Sequence, residues 1–541
     1  MSHVVDFIRR VIDSAEDECE DLVEHLTGVD SARDRVASMQ ELEDAFPGAA
    51  DVYRTLQHIE APVSYRDPSG EISGWRYRNI ELDWEPRAVS WAWPPRTFVP
   101  YDEVLRESST SATNGARGVR VLGSCWGMSS LSHPRPGGNL LFRGEDASVE
   151  ARAEWTDDGH VRALLGATFE EVLDVLGERG MTLRNQPGYA SLSVAGCVGT
   201  GGHGSGVRAS APLGTLVTAV TIASPEPSVH EVTRFALGDS EFPRAVTHLG
   251  RLGPVVAMEL AAVPAFHIAE HREIRRLGAG VAHAEQLLGD VLGVQLEASV
   301  HSAEIWIAPY ADRHGDTVAS VGIRRTTAEA PSEGARRPAV LRCKLLQTLS
   351  QMAAVLVDRV HPRWIRAALR QGVLATEAKK PVVMSSRDAL DFGVLNRSRV
   401  GSIEMALPMD RAPAALSALL AALEIAAQRG HYVYSPIGVR FTGAGLGGTL
   451  SPQADRDVTV HVEIPTFAAP AFCADLVLPP LQALLASYGG RPHWGQRVYL
   501  SPGELRGLWP ASSIAATARL VQRRDPGGHF ASPLLDAVLG I

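Results

Sequence analysis

Residues 184–206 read RNQPGYASLSVAGCVGTGGHGSG, and glycine fills almost every second position at the end of this segment. Because glycine has no Cβ, the backbone there can adopt positive φ and approach a ligand closely. Successive N–H groups in such turns form concave anion-binding sites. The hydroxyls of Ser191, Ser193, Thr200 and Ser205 add donors without bulk. The pattern is typical of a loop around a pyrophosphate, and a glycine-rich surface loop is the simpler alternative.

The same segment contains the spacing of a dinucleotide-binding fingerprint, because Gly199, Gly201 and Gly204 satisfy G-x-G-x-x-G. That motif requires a helix to begin directly after it, so that the helix N-terminus meets the phosphates. Residues 207–212 instead read VRASAP, which has no helical period and contains a proline. We therefore interpret this match as accidental.

The segment resembles the second flavin-binding loop of the vanillyl-alcohol-oxidase-type flavoproteins. It is most similar to the aldonolactone and alditol oxidase branch, where the loop reads approximately S-V-A-G-x-x-x-T-G-T-H-G-S-G; residues 193–196 and 200–206 match it nearly throughout. The resemblance implies FAD as cofactor. It also implies an α+β fold, with a two-subdomain PCMH-type FAD-binding domain, an α+β substrate (cap) domain and an N-terminal helical extension. The cofactor-binding positions that it implies in this loop are Pro187, Gly188, Ser191, Ser193, Gly196, Thr200, His203, Gly204, Ser205 and Gly206.

An earlier glycine turn resembles the first pyrophosphate loop of the family, V-R-x-x-G-S-G-H-S. Residues 119–122 predict a short buried strand, which runs into the sequence GSCWGM. The family histidine that often carries the covalent bond to the flavin falls on Trp126, so we expect non-covalent FAD. We interpret the thiols of Cys125 and Cys197 as buried and inert, and His133 is not an obvious substitute. The implied contacts are Gly123, Ser124, Cys125, Trp126, Gly127 and Met128.

Composition restricts the class of protein. A chain of 541 residues allows two to four domains at about 150 residues each. The net charge of -10 argues against a nucleic-acid partner, because no basic field would hold a polyanion. The five cysteines are not at metal-ligand spacing, which predicts no metal and a reducing compartment. No uncharged apolar run reaches the roughly 18 residues that a membrane helix needs, so we expect a cytoplasmic protein without membrane attachment.

We predict four regions along the chain. Residues 1–60 read as two helices that serve as a packing extension or a homodimer contact. Residues 61–268 are expected to form the FAD-binding domain, in which Val255 or Val256 would touch the adenine. Residues 269–475 are expected to form the cap, and residues 476–541 a C-terminal segment that returns to the FAD site.

Several local patterns support this division. Thr168 and Glu171 predict a capping box at the start of a helix that ends near Gly180. In the cap, alternating residues predict strands at 303–310, 403–408 and 458–464, with helices at 345–360 and 412–429 between them. The arginine- and proline-rich run 324–339 is typical of a solvated loop.

The C-terminal region carries the catalytic part of the resemblance. Residues 491–496 read RPHWGQ, similar to the family signature R-P-H-W-G-K, and residues 524–530 resemble its D-P-x-G-x-F ending. In the family, a glutamate and an arginine two residues apart on a cap strand line the flavin together with the signature lysine. The matching positions here are Gly438, Arg440 and Gln496, and no lysine follows Lys380.

Oxidation of an alcohol by a flavin needs a base for the hydroxyl proton, a hydride acceptor and positive charge near the reduced ring. We expect Arg440 to hold the anionic flavin, His493 to act as base or to be structural, and Gln496 to stand at the lysine position. Gly438 would open space and Trp126 would fill it on the flavin side, which favours a substrate larger or more apolar than a polyol.

These observations predict an FAD-dependent oxidase or dehydrogenase that removes a hydride from an alcohol, a lactone or a secondary-metabolite intermediate. The alternatives are a flavin-dependent epimerase-type half-reaction and a degenerate flavin fold that acts as a binding protein. In relatives, glycine or proline at the position of Pro187 accompanies oxidases and alanine accompanies dehydrogenases. The proline therefore predicts O₂ as acceptor.

Overall fold

The computed structural model describes residues 87–91, 119–124, 127–132, 139–143, 153–156, 158–223, 232–312, 314–331, 363–391, 400–429, 431–445, 447–467 and 471–541. The expectations for residues 1–60, Cys125, Trp126, His133 and the helical run 345–360 lie outside these residues.

The described strands are β1 (Arg87–Trp91), β2 (Val119–Leu122), β3 (Asn139–Arg143), β4 (Ala153–Trp155), β5 (His160–Leu164), β6 (Met181–Thr182), β7 (Val217–Ala223), β8 (Val232–Ala236), β9 (Val255–Ala261), β10 (Val263–Pro264), β11 (His267–Leu277), β12 (Val300–Ile307), β13 (Thr317–Thr327), β14 (Ala378–Ser385), β15 (Val400–Pro408), β16 (Ile437–Gly443), β17 (Val458–Phe467) and β18 (Arg491–Pro492). The described α-helices are Phe169–Gly177, Val194–Gly199, Phe242–Val246, Val281–Gln295, Arg363–Leu374, Ser386–Leu390, Ala412–Gln428, Ala471–Ser487, Pro502–Gly507, Ala511–Arg524 and Pro533–Leu539.

The described strands of the first part of the chain build three small sheets, one of which is the antiparallel pair of β6 and β10. Strands β1, β3 and β2 form a parallel sheet in that order, and β4-β5-β9-β7-β8 form an antiparallel one. The helix Phe169–Gly177 begins with the expected capping box, because Thr168 and Glu171 accept hydrogen bonds from each other's backbone N–H. Its apolar face packs against β4 and β5, and each fully buried side chain there stabilises the fold by about 1.5–3 kcal/mol. This packing fixes the element that leads into the glycine-rich segment.

Strands β11 to β18 form an eight-stranded sheet in the order β14-β11-β13-β12-β16-β17-β15-β18. Because successive side chains of a strand point to opposite faces, this sheet has two chemically different faces. The apolar face is covered by the helices Val281–Gln295 and Ala471–Ser487, with Ala412–Gln428 packed against both. The opposite face, called the polar face below, carries Glu270, Arg272, Glu304, Arg324, Glu404, Arg440, His461 and Glu463.

The expectation of a solvated loop at 324–339 is wrong at its start. Arg324 lies within β13 and is 5% exposed. Its guanidinium contacts Glu270 at 2.9 Å and Glu304 at 3.0 Å, and Arg272 contacts the same two carboxylates. The partners of Arg324 come from neighbouring strands, which the local composition cannot reveal. Residues 332–339 lie outside the described part of the chain.

The C-terminal segment is tied to the rest of the fold by buried ions. Asp525 is fully buried, contacts Arg251, and accepts hydrogen bonds from the N–H groups of His529 and Phe530 at 2.8 and 2.9 Å. Asp536 holds Nε of the same arginine at 2.7 Å.

Two elements link this segment to the cap sheet. Strand β18 pairs with β15, and the helix Ala471–Ser487 crosses the predicted boundary between 475 and 476. A division of the chain at that point would therefore cut a continuous helix. Within the described ranges, no helix combines the length and the apolarity that crossing a bilayer requires.

Candidate active site

The glycine-rich segment contains the short helix Val194–Gly199, which begins after Ser193. No helix follows Gly206, as expected, and the next element is a 3-10 turn at Leu213–Leu216. Gly206 has a φ of 123°, and a Cβ there would collide with the carbonyl oxygen of His301. Glycine is therefore required at this position by backbone conformation and by packing.

The second half of this segment bonds to the protein itself. Its hydroxyls are occupied, since Thr200 donates to the carbonyl of Gly196 at 2.9 Å and Ser205 to that of Ala303 at 2.7 Å. The expectation of bare N–H groups at the glycine-rich end is therefore wrong, because close packing turns these groups towards protein carbonyls. The N–H groups that donate in this way belong to Thr200, Gly201, Gly202, Gly204 and Gly206.

Three segments that are distant in sequence converge at the start of this loop. The first loop touches the second, because a Cβ on Gly123 would collide with the Ser193 hydroxyl. Met128 N–H donates to the carbonyl of Gly495 at 2.9 Å. A Cβ on Gly495 would in turn lie 3.4 Å from Thr200 Oγ1. The two predicted loops and the H-W-G segment therefore form one site.

The end of the glycine-rich segment attaches this site to the polar face of the cap sheet. Gly206 N–H donates to the carbonyl of Phe441 in β16 at 2.7 Å, and the Ser205 hydroxyl reaches β12. His203 lies between these strands and the H-W-G segment, with its ring 5.7 Å from that of His493. The loop therefore holds the polar face opposite the converging segments.

His203 forms a buried ion pair with Glu404. Its Nε2 lies 2.5 Å from Glu404 Oε1, and its Nδ1 lies 2.8 Å from the carbonyl of Gly204. Burial opposes the charge of Glu404, yet His203, His461 and His493 together hold the pKa of that carboxyl well below its ordinary value. Since a carboxylate and a carbonyl only accept hydrogen bonds, both ring nitrogens of His203 must donate.

His461 stacks on His203 with ring centroids 3.7 Å apart. Its Nδ1 bonds to Glu404 at 3.1 Å and its Nε2 to Thr442 at 3.1 Å. Burial and the neighbouring His203 lower the pKa of His461 to about 3. His203, Glu404 and His461 have the chemistry of a metal site, with ligand atoms within 4.8 Å. The 2.5 Å separation is nevertheless that of a hydrogen bond, and it is too short for two ligands that each lie about 2 Å from one ion in tetrahedral geometry.

Arg440 lies on the polar face of the cap sheet. Its Nη2 contacts Glu463 Oε2 at 3.1 Å, and both side chains remain partly open, at 20% and 21% exposed. Burial acts against the charge of Arg440, but Glu463, Glu404 and Glu304 raise its pKa above the ordinary value. Gln496 approaches the other oxygen of Glu463, with Nε2 3.4 Å from Oε1. One carboxylate therefore joins two of the predicted catalytic positions.

The expectation of open volume at Gly438 is wrong. Gly438 in β16 is the Cα partner of Glu463 in β17. A Cβ on Gly438 would lie 3.7 Å from both Cβ and Oε2 of Glu463. The position is therefore not open space, because a carboxylate lies at van der Waals distance from it.

The geometry of His493 does not support the predicted role as base. Its Nδ1 accepts a hydrogen bond from the N–H of Gly495 at 3.0 Å. Burial lowers the pKa of His493 to about 4, so the ring is neutral and carries its one proton on Nε2. Because the acceptor nitrogen is already occupied, His493 can donate a hydrogen bond towards the site but has no lone pair to offer.

Sequence reasoning missed Glu404 and Glu463. Both alternate with apolar residues, in SIEMAL (402–407) and in VTVHVEI (458–464). A carboxylate between buried apolar neighbours on a central strand is an available signal, because a charged residue is rarely buried without a partner.

The protonation of the Cys197 thiol bears on whether this residue could attach a flavin covalently. Burial, with a smaller effect of Glu404, raises the pKa of this thiol to about 12. The thiol is therefore protonated at neutral pH, and a thiol is a poor nucleophile compared with a thiolate. This agrees with the interpretation of Cys197 as inert.

The residues present fit FAD. In the first loop, a Cβ on Gly127 would have no atom of the described residues within 4 Å, apart from its chain neighbours, which leaves space beside the backbone. Oε1 of Gln496 is buried and has no hydrogen-bond partner within the described residues. The helix Val194–Gly199 packs against β9, which begins with the buried residues Val255 and Val256.

Comparison with known proteins identifies the family, because residues 258–538 match the model of the D-arabinono-1,4-lactone oxidase family. The chain belongs to this family. It is therefore an FAD-dependent oxidoreductase that acts on CH–OH groups, which confirms the predicted cofactor and reaction class.

Curated relatives agree with this family. The L-gulono-1,4-lactone dehydrogenase of Mycobacterium tuberculosis is 24% identical over 375 residues, which cover 69% of this chain and 80% of that protein. The D-arabinono-1,4-lactone oxidase of Yarrowia lipolytica is 24% identical over 520 residues, covering 82% and 94%. A Streptomyces alditol oxidase is 33% identical over 177 residues, covering 33% and 40%.

Solved structures show the same fold. A solvent-stable cholesterol oxidase has a TM-score of 0.65 at 18% identity, covering 86% of this chain and 97% of that one. The cholesterol oxidase of B. sterolicum has a TM-score of 0.61 at 14% identity, covering 86% and 96%. The predicted α+β, PCMH-type fold is confirmed.

Proposed function

We propose that this protein oxidises a CH–OH group of a small polyhydroxylated lactone or alditol to a carbonyl, with FAD bound non-covalently. The observation that carries the proposal is the contact of Glu463 with Arg440 on the polar face and with Gln496 of the H-W-G segment. The relatives named above as lactone and alditol enzymes support the same substrate class.

The polarity of the site argues for a substrate rich in hydroxyl groups. Arg440, Glu463 and Gln496 offer both donors and acceptors, and Ser402 lies 3.3 Å from Glu463. A site built to bond hydroxyl groups strongly rejects analogues that lack them, since its polar groups would be left unpaired. An apolar alcohol would remove water from this site and would offer no donor to the buried Oε1 of Gln496.

When bound, FAD supplies the hydride acceptor. The residues of this chain bind and orient the substrate and stabilise charge. Arg440 holds its positive charge at all working pH values and has a planar donor fork. The buried Oε1 of Gln496 is placed to accept a hydrogen bond, which a lysine at this position could not do. His493 is placed to donate through Nε2.

The proposal also includes the mode of FAD attachment, the electron acceptor and the location of the protein. Non-covalent attachment is supported by Trp126 at the position of the linking histidine and by the protonated thiol of Cys197. O₂ as acceptor is supported by Pro187. A cytoplasmic location is supported by the scattered cysteines.

The test is anaerobic reduction of the FAD-loaded protein by L-gulono-1,4-lactone, D-arabinono-1,4-lactone and xylitol, followed at the flavin absorbance band. Cholesterol is the control substrate, because it carries a single hydroxyl group on an apolar body. We expect a polyhydroxylated compound to bleach the flavin and cholesterol to leave it oxidised. Admitting air afterwards should restore the band rapidly if O₂ is the acceptor. Bleaching by cholesterol alone would refute the proposed substrate class.

A further inference from the structure

We infer that Glu463 is the catalytic base, which accepts the proton of the substrate hydroxyl. Glu463 lies on β17, the strand next to the one that carries Arg440. This inference rests on the proposed function, because it assigns the proton-transfer step of that reaction to a residue.

The position of Glu463 follows from the register of two strands. As the Cα partner of Gly438, Glu463 projects from the same face of the sheet as Arg440. The carboxylate lies beside the backbone of Gly438, and a Cβ there would be in ordinary van der Waals contact with Oε2, at 3.7 Å. With 21% of its side chain exposed, Glu463 is reachable by a ligand.

The hydrogen bonds of Glu463 leave room for one more donor. Oε2 accepts from Arg440 at 3.1 Å, and Oε1 is approached by Ser402 at 3.3 Å and Gln496 at 3.4 Å. An ionised carboxylate has about four acceptor positions. Three protein donors therefore leave about one position for a substrate hydroxyl.

Burial is the main influence on the pKa of this carboxylate. Burial raises the pKa of Glu463 above its ordinary value, and Glu404 adds to this effect, whereas Arg440 and His203 oppose it. A base is most effective when its pKa lies near the working pH. The titratable and charged groups around Glu463 are Arg440 from β16, Glu404 from β15, His461 on its own strand, His203 from the glycine-rich loop and His493 after β18.

Glu404 and the two histidines His461 and His493 are less suited to accept this proton. Glu404 is held ionised by His203 and is already bonded to two histidines. Both nitrogens of His461 are in hydrogen bonds, and the acceptor nitrogen of His493 is occupied by Gly495. Glu463 is the carboxylate in contact with both Arg440 and Gln496.

The proposed oxidation is balanced in atoms and electrons when the FAD of the family accepts the hydride. The hydroxyl proton moves to the Glu463 carboxylate, and the electron pair of the O–H bond forms the carbonyl. The carbon-bound hydrogen leaves with its electron pair to oxidised FAD. The substrate loses two electrons and two protons: one proton goes to Glu463, and the flavin would take the two electrons and the other proton as a hydride.

The experiment compares the wild type with Glu463→Gln, with the double variant Gly438→Glu/Glu463→Ala, and with Glu273→Gln as a matched control. Glu273 lies in β11 of the same sheet and pairs with Arg275 at 2.5 Å, outside the site. Each FAD-loaded protein is reduced anaerobically by the three polyhydroxylated compounds across a pH series. Bound flavin and unfolding temperature are measured in parallel. The infrared carbonyl band of a protonated carboxyl is followed against pH in the protein without substrate.

We expect Glu463→Gln to bind FAD but to reduce it about 100-fold or more slowly, because a positioned base typically contributes about 100- to 10,000-fold. It should also lose the limb of the pH profile in which the rate rises as the carboxyl ionises. The infrared band that titrates above the ordinary pKa range of glutamate should disappear. The double variant should recover reduction, since its carboxylate reaches the same space from the neighbouring strand, whereas Glu273→Gln should match the wild type.

Wild-type rates in Glu463→Gln would overturn the inference while leaving the proposed function intact. Slow reduction with an unchanged pH profile would overturn it too, since Glu463 would then only position Arg440. If Glu463→Gln fails to bind FAD, the double variant decides, and a folded, flavin-loaded but inactive double variant counts against the inference. If no polyhydroxylated compound reduces the wild type, the proposed function fails first, and the base assignment falls with it.

Discussion

The most demanding test of the proposed site is the substitution Arg440→Ala, because two effects of this substitution should act together. Arg440 is the arginine that contacts Glu463, and it faces Glu404 and Glu304 as well. Removing a preorganised donor to a developing negative charge costs about 3 kcal/mol, or roughly 100-fold in rate. Arg440 also lowers the pKa of Glu463, so its loss should raise that pKa further.

The sign of the second effect can be worked out from this contact. Without Arg440, burial and Glu404 remain as the causes that raise the pKa of Glu463. The carboxyl then stays protonated to higher pH, and the limb of the rate profile that follows its ionisation should move to higher pH. Part of the lost rate should therefore return as the pH is raised, while the loss of the cation itself should persist.

The assay is anaerobic stopped-flow reduction of the flavin against pH, with bound FAD and unfolding temperature as checks on the fold. Arg275→Ala is the matched control, because Arg275 lies on the same sheet and pairs with Glu273 away from the site. We expect Arg440→Ala to be slowed about 100-fold or more at neutral pH. A rate equal to that of the wild type would refute the placement of β16 against the flavin. An undisplaced pH limb would refute the coupling to Glu463.

Three further predictions concern attachment and stability. Acid precipitation should release all flavin into the supernatant, and flavin in the pellet would contradict non-covalent binding. Asp525→Ala should lower the free energy of unfolding by about 3–5 kcal/mol in denaturant titrations, since it leaves the buried Arg251 without one of its carboxylates; Asp158→Ala, at an exposed residue, should change little. Glu404→Gln should cost about 3–5 kcal/mol as well. Because the pKa of Glu404 is lowered in the folded state, the difference in unfolding free energy between wild type and variant should have its full size above pH 4.5, the ordinary pKa of the group. It should shrink as the pH falls below that value. A difference independent of pH would contradict the ion pair.

The sequence allowed the parts of the fold that depend on local signals to be predicted. The capping box at Thr168, the alternating strands of the cap and the two flavin loops are all patterns of neighbouring residues. These patterns do not depend on which strand lies beside which.

The predictions that failed depend on strand register. Glu463 lies beside Gly438 only because β16 and β17 pair in one particular alignment. Arg324 is buried only because its carboxylate partners arrive from β11 and β12. A single sequence does not contain that alignment, and a shift by one residue would reverse both faces.

The two faces of the cap sheet also bear on how such enzymes diversify. Alternate residues of these strands pack under the helices, and the residues between them form the polar face. A substitution on the polar face can therefore alter the chemistry without disturbing the packing that keeps the sheet folded. Glu463 lies opposite Gly438, which has no side chain. This pair has the form expected if a catalytic group had moved to the neighbouring strand while the scaffold was preserved. In a fold of this kind, two substitutions on neighbouring strands can move a carboxylate from one strand to the next and so allow new substrates. The order of the two substitutions would decide whether the intermediate sequence has two carboxylates or none.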